Sequence, residues 1–72
     1  MVELSTEEAV DISIVLEEAI TNEMAEIDGI DDDIRWASEA YRYHLEHVRG
    51  MREDRIAKYK DLLVKLGFPY DG

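Results

Sequence analysis

The sequence predicts an all-α protein: an antiparallel hairpin of two long helices that dimerises into a four-helix bundle. Three observations predict it. Apolar residues recur every three or four positions through both halves, with no alternating stretch long enough for a strand. Helix-stop signals fall at just two places, Gly29-Ile30 and Gly67-Phe68-Pro69. Finally, 72 residues bury only roughly 60% of their unfolded surface, so a lone hairpin is marginal.

The first helix is expected over about residues 5–28. Ser5-Thr6-Glu7-Glu8 has the form of a capping box, with Ser5 and Glu8 bonding each other's amides. Ala9, Ile12, Leu16, Ala19, Ile20, Met24 and Ile27 then share one face. Val10, Ile14 and Ala25 form a second, narrower apolar strip.

A turn is expected at 29–31. Gly29 suits a left-handed ending, Ile30 its apolar contact, and Asp31 the cap of the next helix. A turn this short makes the helices antiparallel neighbours.

The second helix is expected over about residues 32–66, with a tail at 67–72 after Gly67 and Pro69. Helices of these lengths would span about 35 and 50 Å, so one overhangs the other. Gly50, within Val48-Arg49-Gly50-Met51-Arg52, marks a possible break. The expected seam joins two columns of seven. One holds Ile34, Tyr41, Val48, Arg55 and Leu62; the other Ser38, Leu45, Arg52, Tyr59 and Leu66. Ile56 and Leu63 widen it on one side, and Ala37, His44 and Met51 on the other, which suits a compact bundle. Arg35, Glu39, Arg42, Glu46, Arg49 and Glu53 alternate in sign, as a salt-bridge ladder does.

Trp36, Ala40, Tyr43 and His47 lie opposite that seam, where a simple hairpin leaves them in water. With Val10 and Ile14 they are the expected homodimer or partner interface.

Charge is divided as unevenly as the apolar faces. Net charge is −10, and the first 33 residues carry twelve acids with no Lys or Arg. The remainder carries six acids and all eight bases. Glu7, Glu8, Asp11, Glu17, Glu18, Glu26, Asp28, Asp32 and Asp33 are the expected acidic surface. Such a surface opposes direct binding to nucleic acid or an anionic membrane, both of which need positive charge. It suits a basic protein partner instead.

Site chemistry is sparse. Without cysteine there is no disulfide, no thiolate zinc ligand and no thiol nucleophile. His44 and His47 bracket Glu46, but no Glu-x-x-His pair exists. Glu17, Glu18, Glu23, Glu26 and Asp28 could draw Mg²⁺ only weakly. The 28–33 segment lacks the ligand spacing of an EF-hand. Ser5, Ser13 and Ser38 have no triad partners, and there is no Gly-rich phosphate loop. No catalytic residue, metal or cofactor is therefore expected. The absence of any long apolar run makes a cytoplasmic location the default.

These readings favour a small acidic interaction module, not an enzyme. It would antagonise a basic nucleic-acid-binding protein, as inhibitors carried by phages and mobile elements do. The alternatives are a self-assembling adaptor bundle and, further off, a carboxylate/histidine metal-binding bundle.

Overall fold

A computed structural model of the chain describes residues 4–70. Glu3 and the last two positions of the expected tail lie outside them. Two helices, α1 (Thr6–Ile34) and α2 (Glu39–Leu66), pack on each other as an antiparallel hairpin. The particle measures 50 × 21 × 15 Å, the elongated shape of the expected hairpin.

The capping box forms at the start of α1. The Glu8 amide donates to Ser5 Oγ at 3.1 Å, and the Ser5 amide donates to Glu8 Oε1 at 3.2 Å. Each bond satisfies an amide that has no partner within the helix.

The turn is not at 29–31. α1 runs through Gly29 without interruption and ends at Ile34, and Asp31 caps nothing. The cause is a heptad: Ala9, Ser13, Leu16, Ile20, Glu23, Ile27, Ile30 and Ile34 follow one another at alternating spacings of four and three. Of these, Ser13, Ile20, Ile27 and Ile30 are buried. Stopping at Gly29 would strip Ile30 and Ile34 from that row. Keeping a glycine inside a helix costs only about 1 kcal/mol, less than fully burying one isoleucine contributes, about 1.5–3 kcal/mol.

The chain reverses over residues 35–38. The amides of Arg35, Trp36 and Ala37 donate to the carbonyls of Asp32, Asp33 and Ile34. Ser38 then caps α2, accepting from the Tyr41 amide at 3.3 Å. The helices are thus 29 and 28 residues long, and the expected mismatch in length disappears.

No break occurs at Gly50; α2 is continuous. Its inner columns are Leu45, Arg52, Tyr59 and Leu66, as expected, with Arg49, Ile56 and Leu63 as their partner. The other expected column, Tyr41, Val48, Arg55 and Leu62, is displaced to one flank. Leu63 is 0% exposed, whereas Leu62 is 40% exposed. The physical reason is the fit to α1: Leu63 continues the four-three alternation from Leu45 through Arg49, Arg52, Ile56 and Tyr59, and Leu62 does not. On α1 the same effect leaves Ile12 outside and brings Ser13 in, its hydroxyl donating to the Val10 carbonyl at 2.7 Å.

The ending of α2 follows the sequence reading. Gly67 takes the left-handed conformation at φ 87°. The Phe68 amide donates to the Leu63 carbonyl and the Gly67 amide to that of Val64, the paired bonds of a Schellman motif. The tail then folds back on α1. The Tyr70 hydroxyl reaches Met24 Sδ at 4.0 Å, and Lys60 Nζ lies 5.2 Å from the centre of the Tyr70 ring.

Candidate functional site: an acidic flank and an apolar flank

A heptad hairpin has two flanks beside its seam. In an antiparallel pair, residues displaced in the same angular sense from the two seams lie on the same side. Two sets of ion pairs mark the sides. Arg49 Nε donates to Asp31 Oδ1 at 2.8 Å on one. On the other, Glu23 accepts from Arg52 at 2.9 Å and lies 3.6 Å from Arg55.

The Asp31 side is charged and mostly acidic. Here α1 places Glu7, Glu17, Asp28 and Asp31, and α2 places Glu39, Glu46 and Glu53, all exposed. Lys60 is the one base in the outer columns of this side, with Arg42 and Arg49 nearer the seam. Arg49 is clamped between Asp31 and Glu53. The hydrogen bond that Arg49 donates to Asp31, then the Asp31 charge, then that of Glu53 raise the Arg49 pKa above its ordinary value, against an opposing desolvation effect. The expected ladder is therefore not self-compensating. Among the described residues only its Arg49–Glu53 rung forms, and Arg49 is shared with α1.

All nine residues of the expected acidic surface are exposed. They do not make one face. Glu17 and Asp28 join the flank just described, with Glu7 at its far edge. Asp11, Glu18 and Asp32 run down the back of α1, and Glu8, Glu26 and Asp33 border the opposite flank. Glu39, Glu46 and Glu53 were missing from that surface. Their seven-residue spacing is visible in the sequence, but Arg42 and Arg49 between them hide it.

The expected interface residues are exposed too, Trp36 at 89% and Tyr43 at 78%. They do not form one patch. Val10 and Ile14 sit near the open end of the hairpin, and Trp36 lies in the turn. At 1.5 Å per residue the separation is roughly 30–40 Å along α1. Ala40 and His47 lie on the back of α2. Tyr43 is set between Glu39 and Glu46 at the edge of the acidic flank. Near the open end Ile14, Glu17, Glu18, Thr21, Asn22 and Tyr70 line a solvent-open groove.

Among the described residues no three His, Asp or Glu side chains gather as a metal-ligand set. Glu23 is already held by two arginines, and His44 stacks on Tyr41 with ring centres 6.1 Å apart. No helix among them is long and apolar enough to cross a membrane.

The second flank, on the Glu23 side, mixes apolar residues with charges of both signs and is the more apolar of the two. It carries Ile12, Val15 and Ala19 from α1, and Tyr41, Val48, Met51 and Leu62 from α2. Ile12, Val15, Tyr41, Met51 and Leu62 are exposed, Val15 at 64%.

No family model, curated protein or solved structure matches this chain.

Proposed function

We propose that this chain is a non-enzymatic interaction module that binds a basic, nucleic-acid-binding protein and antagonises it. The observation that carries the reading is a row of exposed carboxylates from both helices along one flank. Glu17, Asp28, Asp31, Glu39, Glu46 and Glu53 line that side, Asp31 and Glu53 sharing Arg49, and Lys60 is the one base in its outer columns. Two rigid helices hold these carboxylates in register, so they act together on a cationic groove. Such fields steer association and make it salt-dependent.

Tyr43 and Trp36 complete the surface. Large aromatics beside charged groups are the usual anchors of an interface, because they bury much area at low entropic cost. The partner is identified by its chemistry alone: a protein with a positive groove shaped for a phosphate backbone.

The test is capture from host lysate on the immobilised chain, at low and high ionic strength. A basic protein retained at low salt and released at high salt supports the reading. Capture of acidic partners only, or retention indifferent to salt, contradicts it.

A further inference from the structure

We infer that the apolar flank is the docking face for a second copy of this chain, packed flank to flank around a two-fold axis parallel to the helices. Area is the first argument. The chain exposes 5625 Å², whereas a folded monomer of 8.3 kDa is expected to expose about 4,600 Å². The excess of about 1,000 Å² is on the scale of the roughly 800 Å² per partner that a specific interface buries. Ile12, Val15, Tyr41, Met51 and Leu62 place exposed apolar surface on this one side. The other flank also exposes Val10, Ile14, Tyr43 and Val64, but among a row of carboxylates of one sign.

Charge selects the occupant and its orientation. On this flank the α1 edge carries only acids, Glu8, Glu26 and Asp33. The α2 edge carries only bases, Arg55, Lys58 and Lys65. Laying α1 on α1 of the second copy would set acid against acid. Laying α1 on its α2 instead sets the acidic edge against the basic one, with Glu8 nearest Lys65. A two-fold axis parallel to the helices does this and keeps every residue at its own height. Heights follow from the Glu23–Arg52 pair, counting 1.5 Å per residue in opposite directions. Val15 then lies within about 3 Å in height of Leu62 of the second copy, and Glu8 within about 3 Å of its Lys65. Every neighbouring helix is antiparallel, as in an up-down four-helix bundle. Both acidic flanks face outward, so the dimer would be bivalent. This inference does not rest on the proposed function: a dimer that binds no basic protein would leave it intact.

Sedimentation equilibrium on the full chain tests it, with Val15→Glu, Leu62→Glu and, on the opposite flank, Val64→Glu. The wild type and Val64→Glu should be dimers. Val15→Glu and Leu62→Glu should each raise the dissociation constant by at least about tenfold, through lost apolar burial and a buried charge. Geometry is read separately with conservative variants, since the chain has no native cysteine. A mixture of Val15→Cys and Leu62→Cys copies should oxidise mainly to the mixed disulfide dimer. A monomer at all concentrations, a dimer indifferent to Val15→Glu and Leu62→Glu, or a preference for Val15→Cys pairing with itself would overturn the proposal.

Discussion

Glu23 on α1 and Arg52 on α2 meet at 2.9 Å at seam positions of both helices, where the rest of the contact is largely apolar. Glu23 is only 14% exposed and also takes Arg55 at 3.6 Å. Arg52 Nε is buried with no hydrogen-bond partner. Such a polar layer adds little stability, because desolvation offsets the attraction, but it fixes register. Glu23→Ala should destabilise the hairpin by about 1–3 kcal/mol by stranding the Arg52 charge. Glu23→Leu with Arg52→Leu should recover or exceed wild-type stability. Urea titrations of the variants and the double mutant measure both; additive losses would show that the two residues act separately.

The glycines separate by conformation. At Gly29 and Gly50 an added Cβ would meet open space in a helical backbone. Gly50→Ala and Gly29→Ala should each stabilise by about 0.4–1 kcal/mol. Gly67→Ala has the same open space but a φ of 87°, and should destabilise by about 1–2 kcal/mol. Thermal melts of the three variants should therefore move in opposite directions.

Much of this fold can be read in the residues. The capping box at Ser5 and Glu8, the ending at Gly67 and Phe68 and the hairpin itself all follow from local chemistry. The turn does not. Gly29, Ile30 and Asp31 carry the local signals of a helix stop, yet the long-range match of Ile30 and Ile34 to α2 outweighs them. The seam of α2 was hidden for a related reason. Two neighbouring columns are comparably apolar, and the choice between Leu62 and Leu63 is made by α1. The acidic flank is half legible: Glu17 and Asp28 stand out, whereas the arginines between Glu39, Glu46 and Glu53 hide them, although of the three only Glu53 pairs with one, Arg49.

The later turn also changes the place of the acids beside it. Asp31, Asp32 and Asp33 fall in the last turn of α1, where no base lies. Carboxylates there oppose the helix dipole. Asp32→Lys, on the outer face, should stabilise by about 0.3–1 kcal/mol at low salt, and less at high salt. Denaturant midpoints at two ionic strengths check the sign and the screening.

Trp36→Ala and Tyr43→Ala remove side chains that touch little of the hairpin. Each should change stability by less than about 0.5 kcal/mol and leave the mass of the proposed dimer unchanged in the ultracentrifuge. Each should weaken retention of a basic partner. Loss of the dimer instead would move the self-association face to the aromatic side.

The most direct measurement is salt-dependent capture by the wild type beside a variant carrying Glu39→Gln, Glu46→Gln and Glu53→Gln. These positions are exposed, and only Glu53 has an ion pair among the described residues, so the variant should keep its helicity. The wild type should retain a basic, nucleic-acid-binding protein at low salt, and the variant should lose it. A partner held equally well by both would contradict the acidic flank as the binding surface.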